Sequence, residues 1–537
     1  MRATFFAVSA LHLATALAAQ GLPPVPAPTQ NPITAEKAVL GKILFWDEQL
    51  SSDDTVACGT CHMPGAAGGA DPRLGLHPGL DGRPNTPDDV LASLGIVRQD
   101  AAKAFASSAT FGLDRQVTRR AAQSAITSKY APRQFWDGRA GPAFNDPLTG
   151  RVLIPGGGSL EAQSLHPLMD SAEMAHEGRT WAELTGKLAA VRPLAVATNL
   201  PNDVAQALAR GTSYPDLFQT AFGDPAITPA RIAFAIATYE RTLVANQTPW
   251  DRFTAGDQTA LTQSQQMGMQ AFGQSQCSRC HTPPFFTDHS FRTLGLRPIQ
   301  EDNGRQGVTG NNADRGRFKV PSLRNVGLKR TFMHNGGFST LDEVLRFYDR
   351  QLPNFPDNRD PILNQVRVPP QARGVITDFI TNALTDPRVA QELPPFDRPR
   401  LRSERAPNRR IGMASVGTGG FAPQLLDQQP AAIGSPDFKV GLANGLGGAP
   451  AVFALSFAAR TYPVPVPIAI DLDLGRTFAA QLGGQGAGQG LATLPLPIPA
   501  IPQFRGASLY GQGFVIDMGA AATWGLATTQ ATEFVMM

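Results

Sequence analysis

A mainly α-helical protein made of two similar halves, followed by a separate all-β domain, is the architecture the sequence predicts, on three observations. The pentapeptide Cys58-Gly59-Thr60-Cys61-His62 recurs as Cys277-Ser278-Arg279-Cys280-His281, and the two copies use all four cysteines of the 537-residue chain. Each copy follows a run whose apolar residues recur at helical spacing. Beyond about residue 405 charged residues become sparse, and short apolar runs alternate with Gly, Pro, Asn and Asp turns.

Taken in order, the chain opens with Met1-Arg2, an apolar run from Ala3 to Leu17 and an Ala16-Leu17-Ala18 cleavage pattern. That predicts a secretory leader over residues 1–19, too short for a stable membrane span; an N-terminal anchor is the alternative. The net charge of +3 gives no reason to expect nucleic acid. Residues 20–32 are Pro-rich and expected to be extended. Thr34-Ala35-Glu36-Lys37 then opens a helix, with Ala38, Leu40, Ile43 and Leu44 at helical spacing, which leads to Cys58. Residues 63–117, Gly/Pro/Asp-rich around Gly65–Pro87, are expected to form a loop insertion. Helices are predicted at Trp181–Val191, Asp203–Arg210 and Arg231–Leu243. Leu261-Thr262-Gln263 starts another, running through Met267, Met269 and Phe272 to Cys277. Gly41 and Gly268 stand at different distances from their cysteines, so the repeat is structural rather than literal. A last helix, Gln371–Leu384, ends at Asp386-Pro387. Strands are expected at Phe438–Leu442, Ala451–Phe457, Ile468–Leu472 and Ala507–Ile516, a sandwich-like β-domain over 410–537. It has no cysteine and no histidine, which suits an accessory or attachment module.

C-x-x-C-H is the attachment signature of c-type haem, with two thioether bonds to the porphyrin and one histidine on the iron. A single copy could be a zinc or thiol site; two copies that leave no cysteine over point to two covalent haems. They would be held by Cys58, Cys61 and His62, and by Cys277, Cys280 and His281. The fold expected is two cytochrome c-like domains from an internal duplication, over residues 20–245 and 246–400. No cysteine is left for a disulfide. Covalent haem attachment takes place outside the cytoplasm, which agrees with a periplasmic or otherwise exported protein.

Several strings between and around the motifs carry a family resemblance. They are Leu40-Gly41 with Leu44-Phe45-Trp46-Asp47 and Leu50-Ser51, then Phe135-Trp136-Asp137-Gly138-Arg139-Ala140. Ser159-Leu160-Glu161-Ala162-Gln163, Pro167-Leu168 and Glu173-Met174 follow. Later come Phe318-Lys319-Val320-Pro321-Ser322-Leu323-Arg324-Asn325, Met333-His334-Asn335-Gly336 and Leu384-Thr385-Asp386-Pro387-Arg388. In this order, over roughly residues 33–390, the chain resembles the bacterial di-haem cytochrome c peroxidase/MauG family.

The resemblance implies an oxidoreductase in which Trp136 lies between the haems as a stepping stone for electrons. Glu173 would be the distal acid–base residue, and Gln163 the distal amide that hydrogen-bonds peroxide. Splitting an O–O bond needs a group that takes a proton from one oxygen and returns it to the other, and a pocket carboxylate does both. The segment between Arg139 and Leu160 is longer than the family pattern, with Gly156-Gly157-Gly158 suggesting an inserted loop that alters access. The sixth ligand of the second haem is methionine in the peroxidases and tyrosine in MauG-like members. Here Tyr348 takes that place, with Met333 as rival; an anionic phenolate would lower the potential. His77 is a candidate dissociable ligand on the first haem, with weaker cases for His166, His176, His289 and His334. Calcium, which the family often holds between its domains, stays in doubt, because Arg120-Ala121-Ala122-Gln123 replaces an asparagine-bearing segment. The expected partners are hydrogen peroxide and a small cytochrome c or cupredoxin donor; the oligomeric state is open, a homodimer included. Three functions remain: a peroxidase passing electrons through Trp136, a MauG-like oxidase working on a protein or organic substrate through high-valent haem, or a di-haem electron carrier without catalysis. A dioxygenase would rest on architecture alone.

Overall fold

The computed structural model describes residues 21–69, 74–352, 354–460, 462, 468–520 and 524–537. The expected leader, residues 1–19, lies outside them. Thr34 caps the first helix, Ala35–Trp46, by accepting the Lys37 N–H, and Leu40, Ile43, Leu44, Phe45 and Trp46 are buried along it. This helix crosses Pro229–Thr242 with the backbones in contact: a Cβ on Gly41 would lie 1.9 Å from the Ala235 carbonyl oxygen. The second motif is approached the same way. Thr262 caps Gln263–Gln274, which crosses Pro370–Asp378 at Gly268, where a Cβ would lie 2.0 Å from the Val375 carbonyl oxygen. The predicted Gln371–Leu384 helix is split, since Pro370–Asp378 runs on as a π-helical turn, Phe379–Ala383.

The buried residues gather around these crossings. One cluster joins Leu40, Ile43 and Trp46 to Leu184, Phe218, Ile232 and Ile236, and Val389, Phe396 and Leu401 return to it from far along the chain. Another joins Trp250, Phe272, Phe286, Leu345 and Phe379. Trp181–Ala190, Asn202–Arg210 and Tyr214–Phe222 are helices that flank the first crossing.

The C-terminal region is two antiparallel sheets. One orders Gln424–Leu426, Lys439–Gly447 and Gly486–Pro495; the other runs Gly475–Gln481, Pro450–Ser456, Ser508–Ile516, Ala531–Val535, Arg409–Ile411, with Leu526–Thr528 beside Ser508–Ile516. Both sheets feed one apolar cluster, through Val440 and Leu442 on one side and Phe453, Val515 and Phe534 on the other. This region is bolted to the first helical unit. Asp54 is buried between Lys187 Nζ at 2.6 Å and Ser435 Oγ at 3.0 Å. Val97 and Phe105 form an apolar cluster with Leu426 and Ala443.

Two expectations need correction. Residues 63–117 are not merely an insertion loop, because Gly75–His77 pairs with Val90–Ala92 and Leu94–Val97 with Arg115–Val117. Strands of three or four residues are too short for alternation to register. Ile468–Leu472 is not a strand: the Asp471 side chain accepts the Asp473 N–H and caps a 3₁₀ turn, Leu472–Leu474, so that the strand begins at Gly475.

Candidate active site

The first pentapeptide folds as one helical turn, Cys58–Cys61, with the Thr60 hydroxyl accepting the Ala57 N–H at 2.9 Å. His62 follows, its Nδ1 3.1 Å from the Gly68 carbonyl oxygen. That bond orients the ring. Burial lowers the pKa of His62, so the imidazole is in its neutral, ligating form. The second pentapeptide repeats the device. Cys277–Arg279 is a 3₁₀ turn, His281 Nδ1 lies 3.0 Å from the Phe286 carbonyl oxygen, and burial lowers the His281 pKa. Burial pushes the Cys58 thiol well up and Cys277 to about 12. Paired neutral thiols beside an oriented imidazole, at both motifs, fit covalent c-type haem.

Cys61 and His62 open onto a cavity of about 1120 Å³ whose wall includes Gln163, Glu173, Trp136, His77 and His334. That is the upper end of the range for ligand cavities, about 300–1,000 Å³. Gln163 sits in the Ser159–Met169 helix. Glu173 follows it on a turn in which its N–H donates to the Asp170 carbonyl at 3.1 Å, while its own carbonyl accepts the Ile96 N–H at 3.2 Å. The strand fits there because residue 95 is glycine: a Cβ would lie 1.7 Å from the Ala172 carbonyl oxygen. Burial, reinforced by Asp170 and opposed by Arg139, pushes the Glu173 carboxyl up to about 7.

Within the segment expected to alter access, Phe144–Asn145 pairs with Val152–Ile154 as a hairpin, and Gly156-Gly157-Gly158 follow it up to the helix start at Ser159. Among the described residues, those lining the cavity pass from Arg139 to Leu160 without touching it. His77 is in the wall rather than in a solvated loop; its ring meets Phe111 edge-on at 5.5 Å, and its buried Nδ1 has no hydrogen-bond partner. Glu240 is a wall residue that sequence reasoning missed. It is 3% exposed, burial pushes it up to about 8, and Oε2 has no partner. Its position four residues after buried Ile236 was the available signal, since both fall on one helix face.

Trp136 is buried where the halves meet. Its indole N–H donates to the Ala121 carbonyl at 2.8 Å, and its own carbonyl accepts the Lys319 N–H at 2.7 Å. The ring meets His334 edge-on at 6.2 Å, and His334 stacks on Phe318 at 3.7 Å. Beside it, Arg120 spans Asp137 and Asp302, each at 2.6 Å, so that a guanidinium already engages both carboxylates. Tyr348 ends the Leu341–Tyr348 helix and packs on the second apolar cluster. Burial, with Cys277 and Cys280 adding to it, pushes its phenol well up. Met333 occupies a left-handed turn at φ 70°, next to His334. His176 Nδ1 lies 2.9 Å from the Ser52 hydroxyl. No described helix is long and apolar enough to cross a membrane.

The family model described as di-haem cytochrome c peroxidase matches residues 35–259. The chain is 29% identical to the methylamine utilization protein MauG of Methylophilus methylotrophus over 353 residues, 64% of this chain and 83% of that protein. It is 30% identical to the cytochrome-c peroxidase IdrP1 of Pseudomonas sp. (strain SCT) over 363 residues, 61% of this chain and 76% of that one. With the cytochrome c551 peroxidase of Nitrosomonas europaea the identity is 28% over 359 residues, 66% and 85% of the two chains.

Proposed function

The chain belongs to the di-haem cytochrome c peroxidase family of oxidoreductases, which carry c-type haem, and from that premise we propose that it reduces hydrogen peroxide to water at the His62 side. The observation that carries the proposal is one cavity that opens onto His62 and holds both Gln163 and Glu173, the latter a carboxyl poised near neutrality. Haem bound through Cys58, Cys61 and His62, and through Cys277, Cys280 and His281, supplies the iron that binds peroxide and exchanges electrons. Glu173 takes the proton from one peroxide oxygen and returns it to the other, which a carboxyl of pKa about 7 does readily in either direction. The Gln163 amide donates a hydrogen bond that orients the peroxide. Trp136, fixed through Ala121 and Lys319, bridges the halves and carries electrons between them. A small cytochrome c or cupredoxin is the proposed donor, and the protein works in an exported compartment. The matching glycine crossings at Gly41 and Gly268 support an internal duplication with units at 20–245 and 246–400, followed by the sandwich-like 410–537. Calcium has no part in the proposal.

A second reading, a MauG-like oxidase withdrawing electrons from a protein or organic substrate, is favoured by Tyr348 beside the second motif, where a phenolate would ligate in place of Met333. Stopped-flow absorbance of the holoprotein with peroxide separates the two. A fast reaction only after half-reduction, followed by oxidation of added ferrocytochrome c, is the expected result. A fast reaction of the fully oxidised protein with little cytochrome oxidation supports the MauG-like reading. No reaction in either state leaves an electron carrier.

A further inference from the structure

A cation set against the loop that follows His62 comes from far along the chain. Lys329 follows the short turn Val326–Leu328, whose Val326 belongs to the second apolar cluster and whose Leu328 packs on the first. Its ammonium is clasped by the loop after the first motif. A Cβ on Gly69 would lie 2.9 Å from Lys329 Nζ, so the glycine leaves the space that the ammonium fills, and the Ala122 carbonyl oxygen is 3.5 Å away. Gly69 directly follows Gly68, whose carbonyl accepts the His62 Nδ1–H bond. No carboxylate pairs with Lys329 among the described residues, and the charge of Lys329 acts on His62 against its protonation. Burial brings the Lys329 pKa down to about 8, which leaves it charged at neutral pH.

We propose that Lys329 is a positioning residue for the first site: its ammonium stands behind the His62–Gly68 hydrogen bond and weakens the carbonyl as an acceptor. A weaker hydrogen bond at Nδ1 leaves the His62 imidazole a weaker donor. Hydrogen bonding and charge around an axial ligand are among the levers by which a protein sets haem potential. A positive charge here favours the reduced state of the first site and opposes imidazolate character in His62. An ammonium enclosed against Gly69 and Ala122 without a carboxylate partner costs folding free energy, so its place points to a task other than stability. Because the lysine belongs to the second half, docking of the halves itself adjusts the first site.

The inference rests on His62 being the axial ligand of an otherwise open first iron, and one experiment separates the two claims. Lys329→Met and Lys329→Arg holoproteins would be compared with wild type by spectroelectrochemical titration and by resonance Raman of the iron–histidine stretch. Lys329→Met is expected to lower the first-site potential and raise the stretch frequency, with the second-site potential unchanged and folding stability equal or higher. Lys329→Arg is expected to retain wild-type values. An unchanged potential and frequency in Lys329→Met overturns the inference. A potential that falls while the frequency stays fixed overturns it too, because the charge would then act on the porphyrin rather than through His62. A wild-type spectrum without an iron–histidine band overturns the ligand assignment itself.

Discussion

The two C-x-x-C-H sites share the motif and the way its histidine is held, and differ in everything around it. Each histidine gives its Nδ1–H to a carbonyl five or six residues on, at 3.1 Å for His62 and 3.0 Å for His281. Around the first, the wall of a large cavity brings in a glutamine and two buried carboxyls, Glu173 and Glu240. At the second, a half-buried tyrosine, Tyr348, packs on the same apolar cluster as Cys277. Behind the first imidazole the influencing charge is the cation Lys329; behind the second it is the anion Asp288. The repeated motif accounts for what the two sites share, and the neighbours account for how they differ.

The largest break in this comparison comes from the carboxyl that only the first site has. Glu173→Gln keeps the shape and loses the proton carrier, so the peroxide reaction should fall by about 10²–10⁴-fold while the second-site spectrum stays unchanged. The same carboxyl fixes a pH trend. Accepting a proton requires the carboxylate, so the rate should rise as pH passes about 7 and level off above it. The linkage for stability has the opposite slope. A folded pKa of about 7 above a model value of 4.5 means that the folded state holds the proton more tightly. The stability tied to Glu173 is full below the unfolded value and lost as pH rises to the folded one. Relative to wild type, Glu173→Gln should gain on the order of 3 kcal/mol in denaturant unfolding at pH 8 compared with pH 4. No difference between the two pH values would remove Glu173 from the buried wall.

Next in size is the group that only the second site has. If Tyr348 ligates as phenolate, Tyr348→Met should raise the second-site potential and abolish the phenolate charge-transfer band, with the first site untouched. A spectrum that ignores the substitution would return Tyr348 to a packing role. Trp136→Phe tests the junction instead of either site. The indole hydrogen bond to Ala121 contributes about 1 kcal/mol, so folding should survive. Flash-initiated electron transfer between the haems should slow, while the spectra and potentials of both stay as in wild type. An unchanged rate would place the electron path elsewhere.

How much of this was legible in the sequence follows from how each feature is encoded. The helix starts at Thr34 and Thr262 are local, a capping hydroxyl followed by apolar spacing, and the structure has helices from Ala35 and Gln263. The strands Gly475–Gln481 and Gly486–Pro495 were missed, because stretches rich in glycine and small residues carry little alternation. Glu240 and Lys329 were missed for another reason. A charged residue in a sequence suggests solvent, and only the meeting of distant segments shows that one lines a cavity and the other fills the space above Gly69. Gln163 and Glu173 stood out through family strings, yet what shifts the Glu173 carboxyl, burial with Asp170 and Arg139 beside it, is tertiary.

The smallest expected effect probes the charge contrast from its weaker end. Asp288 acts on His281 as Lys329 acts on His62, with opposite sign. Its carboxylate, however, accepts the Ser290 hydroxyl at 2.7 Å and lies 3.9 Å from Arg292 in a partly solvated pair. Exposed pairs contribute about 0–1 kcal/mol and are screened by salt. Asp288→Asn should therefore raise the second-site potential only slightly, and by less still at high ionic strength. The Lys329→Met shift should persist in the same salt, because that ammonium is enclosed between Gly69 and Ala122. Equal salt sensitivity at the two positions would mean that Lys329 is solvated and that the asymmetry between the sites lies in their ligands alone.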